Sequence, residues 1–341
     1  MIPTFPRDPW GRDLKGQLRT LSFTSAALQR NPLGDPHVRP LLAYTPPGFP
    51  AGGPYRSVWM LQGFSGQVDQ WRNRSPFEPT LVERVDRAIA ARELPEVVLV
   101  FPDCWTSYGG SQFVDSPGTG DYRRYLCDEL VPFATRELHL APSRDARAVM
   151  GKSSGGYGAV MLALERSDVW GGCAAFAPDA AFEYAYLPDF PIAWKVLASH
   201  GHDVAAFWRA VMAKDRIGSE DFETINAIGM AACYSARADG EVDLPWSSVD
   251  AHLIDEVWAR WLARDPVRVL PARLPEARGL RAFSVECGNR DEYRLYAGAT
   301  MIHAQLEAAS IPHQYALFDG THGAMQHRYP ATLRYLLERL A

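Results

Sequence analysis

Cysteine is scarce and unpatterned in this chain: five among 341 residues, at Cys104, Cys127, Cys173, Cys233 and Cys287, with no CxxC pair. That spacing excludes a zinc ribbon and offers no disulfide framework, so the thiols are expected as small, reduced core residues. Long apolar runs are missing too; those at 96–101 and 173–177 fall far short of the ~20 residues a membrane-spanning helix needs. The opening "MIPTFPRDPWGRD" has no apolar centre of the secretory-signal kind, and a soluble, cytoplasmic protein without membrane contact is expected. A net charge of −5 with both signs scattered leaves no basic stripe, so no nucleic-acid partner is expected. Among nine histidines there is no HExxH, and His200 and His202 lie in the polar, glycine-containing "SHGHD". That pattern reads as a solvated turn, and no metal site is expected.

What is present is alternation. Residues 1–56 are rich in proline and glycine and carry two alternating segments, "GQLRTLSFTSAAL" and "HVRPLLAYTPPGF", which read as antiparallel edge strands ending in a Pro-Pro turn. From Ser57 onward short apolar runs alternate with helical stretches: "SVWMLQG", a helix near 80–92, "EVVLVFPD", a helix near 122–138, "RAVMGKS", a helix near 156–165, and "GGCAAFAPD". Strand following helix following strand predicts an α/β fold with a mostly parallel central sheet and helices on both faces. Residues 180–275 interrupt the rhythm with an aromatic-rich helical segment, before it resumes at "RAFSVECG", a helix near 293–309, "HQYALFDG" and a closing helix near 331–340. The expectation is a single domain over 1–341 with a helical insertion, or lid, at 180–275 above the carboxyl ends of the strands.

The stretch "VMGKSSGGYGA" admits two readings. A phosphate-binding loop requires G-x-x-x-x-G-K-[ST], but Ala146 occupies the place of the early glycine and "RAVM" is apolar strand rather than loop. G-x-S-x-G, by contrast, is met by Gly151, Ser153 and Gly155, directly after a strand and directly before a helix, as a nucleophile elbow requires. Lys152, not glycine, precedes Ser154 by two, so Ser153 is the candidate nucleophile and the Ser154 backbone N–H a candidate oxyanion donor.

A serine hydroxyl needs a histidine base held by a carboxylate, in the chain order Ser, Asp/Glu, His, each on a loop after a strand. His322 follows "HQYALFDG" and His327 stands five residues on; His303 and His313 lie in a helix and before the strand. For the acid, Asp291 sits in the loop after "FSVECG", beside Glu292, with Glu286 inside the strand and Asp179 after "CAAFAPD" as a further candidate. The second oxyanion donor is expected after the first parallel strand, in "LQGFSG", where Gly63 permits close approach and Phe64 offers its N–H.

These motifs, with "PPGF", "VFPDCWTSYGGSQFVDSPGTGDYRRYLCDELVPF", "CGNRDEY" and "FDGTHG", resemble the esterase D-like, or "putative esterase", branch of the α/β-hydrolases over most of 20–341. The branch includes formylglutathione hydrolases, feruloyl and acetylxylan esterases, enterochelin-esterase-like enzymes and mycolyltransferases. The resemblance implies Ser153 as nucleophile, Asp291 as acid, His322 as base, and a loop at 105–116 beside the pocket. The chain departs from better-known members in its long insertion and in Lys152. Trp105, Tyr108, Asp179, Phe182 and Tyr186 are the expected substrate contacts, with Phe64, Tyr184, Phe190 and Trp194 as further aromatics near the pocket; Trp258 and Trp261 read as insertion core, and Asp103 either orients substrate or caps a turn. A serine carboxylic-ester hydrolase working through an acyl-enzyme on a small-molecule ester is therefore expected, with no cofactor. Acyl transfer or peptide cleavage by the same triad, and a non-catalytic ligand-binding protein of this fold, are the rivals. The exposed insertion and antiparallel edge are compatible with a homodimer.

Overall fold

Five of the predicted strands are buried along nearly their whole length and mostly apolar, as strands covered on both sides of a sheet are. The computed structural model describes residues 14–74, 78–323 and 325–341, so the opening segment lies outside the described residues. In chain order the strands are β1 (Gln17–Thr24), β2 (Val38–Thr45), β3 (Ser57–Leu61), β4 (Val98–Pro102), β5 (Asp115–Ser116), β6 (Gly120–Asp121), β7 (Arg147–Lys152), β8 (Gly172–Phe176), β9 (Ala282–Gly288) and β10 (Gln314–Phe318). Eight of them form one sheet in the order β1-β2-β4-β3-β7-β8-β9-β10, while β5 and β6 make a separate two-stranded ribbon. β1 pairs antiparallel with β2 and β2 antiparallel with β4; every other pairing in the large sheet is parallel. This is the mostly parallel sheet with an antiparallel N-terminal edge that the alternation predicts.

The helices are α1 (Leu81–Ala90), α2 (Tyr122–Arg124), α3 (Val131–Glu137), α4 (Ser154–Glu165), then α5 (Phe182–Ala185), α6 (Phe190–Ala198), α7 (Val204–Met212), α8 (Ser219–Tyr234), α9 (Asp255–Leu262), α10 (Pro266–Val269) and α11 (Leu274–Arg278), and finally α12 (Leu295–Ala308) and α13 (Tyr329–Leu337). A capping box starts α1, with the Thr80 hydroxyl accepting from the Glu83 N–H and the Glu83 carboxylate accepting from the Thr80 N–H. The helix predicted near 122–138 is broken in type: a π-helical stretch, Tyr125–Leu130, separates α2 from α3. Such one-turn widenings are not encoded in apolar periodicity, which is why the sequence reads as one helix. Helices α5 to α11 all fall between β8 and β9, and Trp261 and Trp258 are buried in this segment as expected.

One feature of the strand order positions the site. From β3 the chain first adds β4 on one side, then returns to add β7 on the other. The crevice outside the carboxyl ends of β3 and β7 is the topological switch point, where open α/β sheets bind ligands. Register pairs Leu61 with Gly151, so the loop after β3 and the turn after β7 emerge side by side.

Candidate active site

Ser153 is the single residue between β7 and α4, and its backbone lies at φ 60°, ψ −126°. A non-glycine residue held there costs about 1–3 kcal/mol, and the surroundings must over-determine it. The glycines do so by removing side chains where backbones meet. A Cβ on Gly151 would stand 2.4 Å from the Gly155 carbonyl oxygen, and one on Gly155 2.5 Å from that of Leu61 in β3. Neither carbonyl can swing aside without breaking the sheet or the first turn of α4. Gly155→Ala is expected to cost about 1–3 kcal/mol of overpacking strain, read as a lowered urea midpoint. An unchanged midpoint would show that this close approach does not govern the turn.

The four candidate acids turn out to hold four different sets of partners. His322 Nδ1 lies 2.7 Å from Asp291 Oδ2, and the Asp291 side chain is fully buried while that of His322 is 14% exposed. The other Asp291 oxygen accepts from the Tyr293 N–H at 2.9 Å and the Leu295 N–H at 3.3 Å, which ties the carboxylate to the start of α12. Glu292 instead accepts from the His322 backbone N–H at 2.9 Å, and that bond holds its carboxyl below the usual range. Asp179 accepts from the Ser153 hydroxyl at 3.3 Å, the Ser154 hydroxyl at 2.9 Å, the Tyr186 hydroxyl at 3.0 Å and the Gln112 amide at 3.2 Å. Burial pushes the Asp179 carboxyl up, against the pull of the Ser154, Tyr186 and Gln112 hydrogen bonds and of His322. Glu286 is in β9 as expected and is spoken for: Arg328 and Thr332 each donate to it at 2.6 Å. Asp103 is paired with Arg39 at 3.1 Å.

Ser153, Ser154, Asp179, His322, Phe64 and Gly63 all border one cavity of about 880 Å³ at the switch point. A Cβ on Gly63 would lie 3.7 Å from the Ser153 Cβ, which measures how closely the β3 loop approaches the elbow. Of the expected substrate contacts, Asp179 and Tyr186 border the cavity, but Trp105, Tyr108 and Phe182 do not. Their surroundings give the reason. Phe182 is fully buried, stacked 5.3 Å from Tyr234; Tyr108 packs edge-on against Trp208 at 5.0 Å; the Trp105 carbonyl accepts from Arg39 at 2.9 Å. Tyr184 is exposed, Phe190 is buried against Trp258 and Trp261, and Trp194 donates to the Ser247 carbonyl at 3.0 Å. The 105–116 loop stands behind the cavity wall: a Cβ on Gly109 would meet the Phe64 ring at 2.6 Å, and the Gln112 amide donates to Asp179.

Further wall residues are Trp71 and Gln70 after β3, Phe222, Glu223 and Asn226 on α8, and Tyr293, at the end of the "CGNRDEY" motif, whose ring meets His322 edge-on at 4.8 Å. Lys152 and His327 also border it. Burial lowers the Lys152 ammonium, which Asp291, Glu292 and Asp179 partly restore. Burial pushes the Asp189 carboxyl up to about 6, with Arg294 opposing the rise and Glu223 adding to it. This wall of the cavity therefore gains negative charge as pH rises through about 6. The KM of a cationic ester relative to its neutral isostere is expected to fall about fivefold between roughly pH 5 and pH 7, the ~1 kcal/mol of a partly screened charge interaction. Asp189→Asn should flatten that ratio, and a ratio that keeps its slope in the variant would exclude Asp189 as the cause.

The mostly parallel sheet with its switch-point cavity, and helices around it, is the α/β-hydrolase fold. Three solved structures share this fold. A ferulic acid esterase superimposes with TM-score 0.62 at 16% identity, covering 96% of this chain and 100% of its own. A fluorophosphonate-binding serine hydrolase of Staphylococcus aureus gives 0.58 at 14%, over 94% and 98%. An S-formylglutathione hydrolase from Agrobacterium tumefaciens gives 0.56 at 16%, over 97% and 98%. The "Putative esterase" family model matches residues 36–333, and the chain belongs to that family. It is an esterase, a carboxylic-ester hydrolase. No helix among the described residues is long and apolar enough to cross a membrane.

Proposed function

We propose that the chain hydrolyses small carboxylic esters through an acyl-enzyme on Ser153, with His322 as general base and Asp291 as its orienting acid. The observation that carries this reading is the 2.7 Å contact between His322 Nδ1 and the buried Asp291 carboxylate. A carboxylate accepts only, so Nδ1 carries the proton and Nε2 keeps a lone pair for the Ser153 hydroxyl. The hydroxyl turns from Asp179 to His322 as substrate enters and attacks the ester carbonyl; the imidazolium then protonates the departing alcohol. The N–H groups of Phe64 and Ser154, on the two loops that emerge side by side, hold the oxyanion, and water on the same histidine releases the acid.

Residues 180–275 act as a lid in this proposal, supported by the contributions of Ala185, Tyr186, Asp189 and α8 to the cavity wall. A cytoplasmic location and a homodimer belong to the same reading; among the described residues β1 has a strand on one side only, an edge of the kind that pairs with a second copy. The test is labelling by a fluorophosphonate probe followed by peptide mapping. Covalent modification is expected at Ser153 and nowhere else, and modification of another serine with Ser153 untouched would overturn the proposal.

A further inference from the structure

At the opposite end of the sheet, three side chains that take no part in the active site converge. The ligand-capable atoms of His303 and Glu307 on α12 and of His313 before β10 lie within 4.8 Å of one another. His303 and Glu307 stand one helical turn apart and so share a face of α12. We propose that these three residues form a site for one first-row divalent transition-metal ion, zinc foremost, that clamps α12 to the entry of the edge strand β10.

The geometry between the imidazoles carries the inference. His303 Nδ1 and His313 Nε2 are 2.8 Å apart, a separation that requires one proton shared between two facing nitrogens. A metal ion replaces that proton: with metal–nitrogen bonds of about 2.0–2.1 Å the two atoms need to part by about half an ångström, and the rings to tilt so that their lone pairs converge on the ion. Both rings are already oriented. The Ile311 carbonyl accepts from His313 Nδ1 at 2.8 Å, which leaves Nε2 unprotonated as a ligand must be. The His303 ring lies flat on Tyr315 at 4.0 Å and 2°, and the Tyr315 hydroxyl is held by Thr300 at 2.9 Å. Two imidazoles and one carboxylate select zinc-like ions over calcium or magnesium, which prefer all-oxygen sites. The ten-residue separation of the histidines crosses a helix end and a turn, so it matches no ligand spacing and escapes a motif search.

Because β9 and β10 are parallel and His313 precedes Gln314, the ion sits about 16 Å, the length of five strand residues, from the loops that carry Asp291 and His322. Its effect is therefore on the stability of the edge and not on ester chemistry. Chelator-treated full-length protein should bind one Zn²⁺ per chain by calorimetry, and Zn²⁺ should raise its melting temperature. His313→Gln and the exposed Glu307→Gln should each weaken that binding at least tenfold and lose the melting shift while keeping ester hydrolysis. Absence of stoichiometric binding in the parent protein, or a site of unchanged affinity in both variants, would overturn the proposal. Glu307→Gln removes only an exposed carboxylate, so it remains informative if the histidine variant folds poorly.

Discussion

Ser153→Ala is expected to reduce kcat for a p-nitrophenyl ester by about 10⁵- to 10⁶-fold while KM changes little, the loss seen when a member of such a catalytic unit is deleted. In free energy this is roughly 7–8 kcal/mol of transition-state stabilisation. The serine's contribution is made only after the ground state, when its oxygen bonds to carbon, so the loss belongs in kcat. Ser154→Ala is the matched control. Its hydroxyl donates to Asp179 at 2.9 Å and its proposed part in the reaction is the backbone N–H, which alanine keeps. A fall of less than about tenfold is expected there, the net worth of one buried hydrogen bond. Steady-state kinetics on both variants decide the matter. If Ser154→Ala were inactive and Ser153→Ala active, the glycine argument that chose between the adjacent serines would be wrong.

The place of Ser153 at the strand-to-helix turn was legible because it depends on nearest neighbours: glycines two before and two after one serine, apolar strand on one side, helix on the other. The parallel sheet was legible for a related reason, since burial on both faces makes β3, β4, β7, β8 and β9 predominantly apolar. What could not be read is which loop meets which. Asp291, Glu292 and Asp179 all follow strands, and only the folded chain shows that one takes the imidazole, one the histidine's backbone and one the serine hydroxyls. The aromatics mislead in the same way. Phe182 and Tyr186 are both buried and only 4.8 Å apart, yet the hydroxyl of Tyr186 finds Asp179 at the cavity while Phe182 has nothing polar to offer and sinks into the core. Phe222 and Trp71 reach the cavity from segments whose local pattern says only amphipathic or polar.

The division of labour among the carboxylates gives the sharpest test. Asp291→Asn should lower kcat by about 10⁴-fold, because an amide can present its N–H to Nδ1 and so trap the histidine as the tautomer that cannot accept the serine proton. KM should hardly move, since Asp291 is buried behind the histidine and does not border the cavity. Asp179→Asn is expected to behave in the opposite manner. Asp179 does border the cavity and accepts from two serine hydroxyls, a tyrosine and a glutamine, so the substitution removes charge and one acceptor from the substrate's surroundings. A change in KM, a kcat loss below about 10²-fold and about 1–3 kcal/mol of lost stability should follow, the last being the usual cost of unsettling buried polar partners. The imidazole keeps its orientation in that variant because Asp291 still holds Nδ1. Measured side by side on one ester, the two substitutions separate the roles by the parameter each affects. A larger kcat loss from Asp179→Asn than from Asp291→Asn would move the acid to Asp179 and leave the 2.7 Å contact at His322 as structural.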